Sequence, residues 1–268
     1  MTTEIFTAGF PRSGNTWLAR MVADLFSAPL QDKPDSKPLL HFSRKIDDKY
    51  VVRKTHMEAK DKRKENKYIY IVRDPRDVMV SIKYFYHTGD YYRAMGYMNA
   101  SKYIEYITSW NARGADFVCT YEQLQADCPS CLYAMQNIIS GDGKQENAQA
   151  VCERHHFTKY SHKYPHLMRN GVVGEWKKVF DREMGKRFEE LFGDVLIFLG
   201  YEQVSNWWTS LPLDPSSTVL CANCGNAHDG YDCEEGWLCE DCYLELESQA
   251  FHDGQRKSGG APARMNDG

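Results

Sequence analysis

A loop able to cradle a phosphate lies near the start of the chain. Gly9, Gly14, Asn15 and Thr16 follow the spacing G-x-x-x-x-G-N-T, a Walker A pattern in which Asn15 stands where the phosphate-binding lysine belongs. The glycines let successive backbone N–H groups turn inward, and the helix that begins behind them adds the partial positive charge of its N-terminus. Arg12 places a cation inside the loop. The pattern suits a phosphate-like anion and departs from that of ATP and GTP hydrolases. Lys54 and His56 close the β-rich run 50–56. They belong at the carboxyl end of a strand, where ligands of parallel α/β sheets collect. Arg73 follows the apolar run Tyr68–Val72, and Ser81 comes eight residues later, two turns into a helix, so both can converge on one anion. At the other end of the chain, Cys221-x-x-Cys224 and Cys239-x-x-Cys242 are separated by 14 residues. Paired C-x-x-C knuckles are a strong signal for tetrahedral Zn²⁺ held by four thiolates.

Positioning these residues requires strands and helices in alternation. The run from Glu4 to Gly9 reads as a strand, and Thr16–Phe26 as a helix with Leu18, Met21, Val22 and Leu25 on one face. Residues 27–49 are polar, hold three prolines and read as a long loop of the kind that often serves as a lid. Tyr68–Val72 is the clearest buried strand, and Pro75 suits the first turn of a helix over Arg76–His87. The stretch 88–100 reads as polar and aromatic without regular structure. A helix is expected over Ser101–Arg113, a strand over Phe117–Thr120, and helices over Cys131–Ser140, Gln145–Arg154, Trp176–Phe180, Arg182–Phe192 and, separately, Val195–Leu199. This alternation argues for an α/β domain with a three-layer parallel sheet. Expected boundaries are a catalytic domain over 1–202, a linker over 203–220, a zinc-binding module of treble-clef or ribbon type over 221–250, and a disordered tail over 251–268.

Composition narrows the classes. The 37 acidic and 33 basic residues divide unevenly, with 11 and 3 from Gln203 onward, leaving 26 and 30 in the first 202. A cationic front suits an anionic ligand, and an acidic C-terminal part argues against nucleic acid. No apolar run approaches the ~18 residues of a membrane span, and no signal peptide precedes the first strand. The expected location is the cytoplasm. Five of the nine cysteines fall between Cys221 and Cys242, and clustered cysteines in a reducing compartment point to metal rather than disulfides. Cys128-Pro-Ser-Cys131 is a lone C-x-x-C at a helix start, which reads as a helix N-terminus with redox activity as the alternative.

Four segments, in order, resemble one family, the sulfotransferases that use 3′-phosphoadenosine 5′-phosphosulfate. Pro11-Arg12-Ser13-Gly14-Asn15-Thr16-Trp17 resembles the 5′-phosphosulfate loop P-[KR]-S-G-x-T-W. Lys54-Thr55-His56 is similar to the K-T-H that carries the catalytic histidine of cytosolic-type members. Arg73 and Ser81 resemble the 3′-phosphate pair. Arg169-x-Gly171-x-x-Gly174-Glu175-Trp176-Lys177 resembles R-K-G-x-x-G-D-W-K, which closes over the nucleotide. The resemblance covers residues 4 to about 200. It implies that Arg12 and the loop amides hold the 5′-phosphate, Lys54 steadies the sulfate oxygens, and His56 takes the acceptor's proton. It also implies that Arg73, Ser81 and Arg169, with Asn170 and Gly171 beside them, bind the 3′-phosphate, that Trp17 and Phe157 sandwich the adenine, and that Tyr121 contacts it. The product that the resemblance implies is 3′-phosphoadenosine 5′-phosphate, and it implies no requirement for Mg²⁺.

The chain departs from the family pattern in places. Arg12 replaces the usual lysine. Met57-Glu58 replaces Leu-Pro, which makes Glu58 a second candidate base. Asn170 replaces the lysine of R-K-G. The stretch 177–182 lacks the Thr-Val of the family's dimer motif, so dimerisation by that route is not expected. Each residue alone has an ordinary explanation: Arg73 can salt-bridge Asp74 or Asp77, Trp17 can be core, and His56 can be a polar strand end. Two other functions stay open, a nucleotide-dependent phosphotransferase of P-loop type and a catalytically inactive zinc-containing binding protein. The expected partners are a small-molecule or glycan acceptor and Zn²⁺, with the zinc module docking a protein or the catalytic domain. His228 and Cys233 are spare metal ligands.

Overall fold

The computed structural model describes residues 2–31, 49–159, 171–213, 230–233 and 236–239. Its centre is a five-stranded sheet, every strand pair parallel, in the order β2-β3-β1-β4-β5. The strands are β1 (Thr3–Ala8), β2 (Leu30–Gln31), β3 (Tyr50–Thr55), β4 (Lys67–Val72) and β5 (Phe117–Thr120). From β1 the chain first builds one side of the sheet (β2, β3) and then crosses to the other (β4, β5). β1 is therefore the switch point, and its carboxyl end opens a crevice between two neighbours that lead in opposite directions.

Alternation in β4 assigns the two faces. Ile69 and Ile71 join a buried cluster with Leu18, Met21 and Val22 of α1 (Asn15–Leu25), Leu132 and Met135 of α6 (Cys128–Ser140), and Val151 of α7 (Gln145–Arg154). Tyr68 and Tyr70 face the other way, onto Tyr106 and Trp110 of α4 (Ala100–Arg113), with Tyr70 stacked on Trp110 at 5.2 Å. Helices on both faces explain why β4 is apolar from Tyr68 to Val72 rather than alternating. Leu18 is fully buried, and its truncation to alanine should cost about 2–5 kcal/mol.

Local signals place the helices. Asp74 caps α2 (Pro75–Phe85) by accepting from the Arg76 N–H at 2.9 Å, with Pro75 in the first turn. Thr120 and Gln123 form a reciprocal capping box on α5 (Tyr121–Ala126). Gly141 ends α6 in the left-handed region.

Two expectations are corrected and a third is extended. The stretch 88–100 contains α3 (Tyr91–Met98), started by Asp90, which accepts from Arg93 N at 2.7 Å, and seated by buried Ala94, Met95 and Met98. The helices expected over Arg182–Phe192 and Val195–Leu199 are one continuous helix, α8 (Arg182–Phe198). Gly193 does not break it, because it is buried and a Cβ there would stand 2.6 Å from Glu189. Cys128 does begin a helix, but it is disulfide-bonded to Cys152 across α6 and α7. Packing of α7 on α6 brings Cys152, 24 residues further along the chain, to the Cys128 sulfur.

The chain divides into two compact units, Met1–Phe180 with Met184–Trp207, and Asp181–Glu183 with Trp208–Gly268. In the second, β6 (Gly230–Cys233) pairs antiparallel with β7 (Gly236–Cys239). Cys221, Cys224 and Cys242 lie outside the described residues, and Cys239 closes β7. Among the described residues no group of three or more His, Cys, Asp or Glu could hold a metal ion, and no helix is long and apolar enough to cross a membrane.

Candidate active site

The loop from Phe10 to Gly14 joins β1 to α1. Arg12 sits in the left-handed region at φ 74°, and Gly14 at φ 94°. Gly14 has no substitute, since a Cβ there would meet the Tyr121 ring at 2.6 Å. Its carbonyl starts the helix by accepting from Trp17 N and Leu18 N at 3.0 and 3.1 Å. No side chain caps α1, which leaves its first amides to a ligand.

One cleft of about 200 Å³ brings together most of the residues expected from the sequence. Pro11, Arg12, Gly14, Asn15, Thr16 and Trp17 border it from the loop. Lys54, His56, Arg73, Ser81, Tyr121, Phe157 and Gly171 reach it from five other segments. Ser13 is buried beneath the loop. Arg169 and Asn170 lie outside the described residues. Glu58 does not join the cleft; it pairs with Lys60 at 2.8 Å and faces a separate depression beside Ser109.

One end of the cleft is formed by His56 and two cations. His56 Nδ1 lies 2.6 Å from the Gly9 carbonyl oxygen. A carbonyl only accepts, so Nδ1 carries the proton and Nε2 is left as the basic nitrogen. The residue remains open to solvent on one side. Partial burial of the ring lowers its pKa below the ordinary histidine value, the Gly9 bond opposes this, and the nearby Lys54 charge lowers it further. Lys54 Nζ reaches Thr16 Oγ1 at 3.5 Å. Arg12 Nε donates to Ser81 Oγ at 3.1 Å, and its guanidinium lies over the Phe85 ring at 4.0 Å. Asn15 borders the cleft, but its amide nitrogen donates to the carbonyls of Thr7 and Thr55 at 3.2 and 2.7 Å.

The other end is built on Arg73, Tyr121 and Trp17. Arg73 donates from Nη2 to Val172 O at 2.9 Å, lies over Tyr121 at 4.3 Å and approaches Asp77 at 3.6 Å. Its Nε is buried without a hydrogen-bond partner among the described residues. A buried guanidinium donor of this kind fits an anion such as a phosphate. Asp77 also accepts from Gly174 N and Trp176 N at 2.8 and 3.0 Å. Burial raises its pKa, while Arg73 and these two amides act against the rise. Tyr121 OH donates to Gly171 O at 3.0 Å. Trp17 donates from Nε1 to His155 O at 2.8 Å, and Phe157 meets Trp17 edge to face at 5.9 Å. A sandwiched purine needs parallel rings about 7 Å apart, twice a ~3.5 Å contact, so these two rings must turn and part to admit one. The wall behind them is firm: Asp24 of α1 holds Arg154 at 2.7 Å and His155 at 2.9 Å.

Phe85, Tyr86 and Glu175 also line the cleft. Glu175 sits within a motif visible in the sequence. Phe85 and Tyr86 carried no such signal, because aromatic residues at a helix end are common in cores.

Residues 2–207 match the family model of the sulfotransferase domain. The chain belongs to the sulfotransferase family. It is 21% identical over 238 residues to the amine sulfotransferase of rabbit (Oryctolagus cuniculus), covering 70% of this chain and 79% of that one. A mouse sulfotransferase solved in complex with PAP is similar at a TM-score of 0.58 and 20% identity, over 72% of this chain and 84% of the other. A retinol dehydratase solved with androsterone and the inactive cofactor PAP is similar at a TM-score of 0.55 and 18% identity, over 72% and 80%. At these identities the solved structures establish the fold. The family match establishes the enzyme as a sulfotransferase, with the α/β parallel-sheet fold expected from the sequence.

Proposed function

We propose that the enzyme transfers a sulfuryl group from 3′-phosphoadenosine 5′-phosphosulfate to a hydroxyl or amine of its acceptor, with His56 as the base. The observation that carries this reading is His56 itself. Gly9 holds its Nδ1 as a donor, which leaves Nε2 as the proton acceptor on a residue that lines the cleft. The lowered pKa keeps the ring neutral near pH 7. The donor, when bound, supplies a sulfuryl group on a phosphate leaving group. Arg12 and the free amides of α1 bind the 5′-phosphate, and Lys54 neutralises charge on the sulfuryl oxygens. Arg73 and Ser81 bind the 3′-phosphate, the orphan Arg73 Nε supporting that role. Because Arg12 now bonds Ser81, the two must exchange partners when the anions enter. Trp17, Tyr121 and Phe157 hold the adenine, and Arg169, Asn170 and Gly171 close over it. Relatives named for an amine acceptor and for a complex with PAP agree with this reading.

We also propose that residues 221–250 bind one Zn²⁺ through Cys221, Cys224, Cys239 and Cys242, and that the acceptor is a small molecule or glycan. The zinc reading is checked by metal content, with about one Zn²⁺ per chain expected.

The transfer reading is tested with sulfur-35-labelled donor against a panel of phenols, alcohols, amines and glycans. Thermal shift with 3′-phosphoadenosine 5′-phosphate should exceed that with ATP at equal concentration. Stronger stabilisation by ATP, or no labelled product from any acceptor class, would overturn it.

A further inference from the structure

We infer that Asn15 is a positioning residue for the base: its side-chain amide straps the Thr55–His56 peptide to the donor loop. This rests on the reading of His56 as the base.

Asn15 is 3% exposed. Its Nδ2 donates to Thr55 O at 2.7 Å and to Thr7 O at 3.2 Å. Both partners are carbonyls, so the nitrogen must face them and the amide cannot be turned over. β1 and β3 run side by side in parallel, with Ala8 opposite Thr55 and Thr7 opposite Lys54. The amide thus ties together the carboxyl ends of the two strands at the place where the ladder stops. Its hydrogens are both committed to backbone. The only polar atom left is Oδ1, an acceptor with no partner among the described residues, and an acceptor repels phosphate oxygens. So the residue at the Walker lysine position does not act on the donor through its side chain, although it sits in the donor loop.

Thr55 lies between Lys54 and His56. The carbonyl that Asn15 holds belongs to the peptide joining Thr55, the last residue of β3, to His56. The Thr55 carbonyl fixes the peptide that carries His56, and the Gly9 carbonyl fixes the ring. Both anchors end on the segment that holds the donor. A lysine in place of Asn15 would lose the strap, because an ammonium on a long flexible stem cannot reach back to these two carbonyls from a buried first turn. A short amide can, as Asn15 does.

The test uses the full chain with Asn15→Ala and Asn15→Leu, the latter keeping roughly the size of the side chain while removing both donors and adding no charge. With the strap gone the ring should leave Gly9 and become more solvated. Expected are a fall in kcat of tenfold or more, a donor KM and a 3′-phosphoadenosine 5′-phosphate dissociation constant within about twofold of wild type, and an upward move of the His56 pKa. That pKa is read by histidine NMR on the resting protein, so the result stands whether or not an acceptor has been found. Failure of the wild type to transfer sulfuryl groups would sink the assignment of function, while the NMR titration reads the strap alone. A variant that loses affinity for 3′-phosphoadenosine 5′-phosphate with the His56 pKa unmoved would make Asn15 a donor ligand and overturn the inference. Wild-type kcat and pKa in both variants would overturn it as well. Should the variants not fold, side-chain amide exchange in the wild type decides. Slow exchange of the Asn15 NH₂ group without nucleotide supports the strap, and exchange that slows only when nucleotide is added refutes it.

Discussion

The two ends of the cleft are held by different means. At the reacting end, His56 and Lys54 stand on the end of β3, and their anchors are backbone carbonyls of the sheet and the donor loop. At the nucleotide end, Arg73, Tyr121 and Asp77 bond the backbone of the segment Gly171–Trp176, and Phe157 leans edge-on against Trp17. One end is as rigid as a parallel sheet. The other depends on a connecting segment held from outside by side chains. The contrast suits a transfer reaction: atoms that exchange a group must be set to within fractions of an ångström, whereas a wall that grips a nucleotide must part to take it in.

Substitutions at each end should separate these roles. His56→Ala should have the largest effect, a fall in kcat of about 10²–10⁴-fold with nucleotide binding intact; binding lost together with turnover would show that the two ends are not independent. Arg73→Met should act in the opposite sense. Loss of a charge-assisted bond worth about 1.5–3 kcal/mol raises the donor KM roughly 10- to 150-fold and changes kcat little, as initial-rate kinetics would show. Cys152→Ser should have the smallest effect on the cleft. It removes the tie between α6 and α7, costing about 2–4 kcal/mol of stability and lowering Tm. Because α7 leads into His155 and Phe157, the donor KM should rise slightly and kcat stay the same.

The pH profile sharpens the comparison further. His56 accepts a proton only when neutral, and partial burial and Lys54 hold its pKa below the ordinary value of about 6.5. Activity should therefore be flat through neutral pH and fall only as the pH drops below that value, with half-activity on its acid side. A midpoint above about 6.5 would mean that another group is the base.

Much of the reacting end was legible in the sequence. Short runs end at known residues, and a parallel sheet puts strand ends on one edge, so Gly9, Lys54, His56 and Arg73 had to meet if the sheet formed. The exclusion of Glu58 was not legible, since neighbours in sequence diverge as soon as a strand ends, and Glu58 turned to Lys60. Nor was the Cys128–Cys152 bond, because helix packing rather than spacing brings those sulfurs together. The helix at 91–98 escaped because its buried residues are few and its exposed tyrosines (Tyr92 and Tyr97 at 46% and 56%) mask the pattern.

By itself the sequence carried the residues of the proposed chemistry: a Gly-containing loop suited to an anion, a histidine two residues after a lysine, and an arginine and a serine eight residues apart. These are local matters of residue type and spacing, and the backbone of each element carries them. Only the tertiary structure decided which groups the asparagine in the loop bonds. Its partners, Thr7 and Thr55, are 8 and 40 residues away. They become neighbours because β1 and β3 pair in parallel, and no local pattern records which carbonyls a buried amide will find.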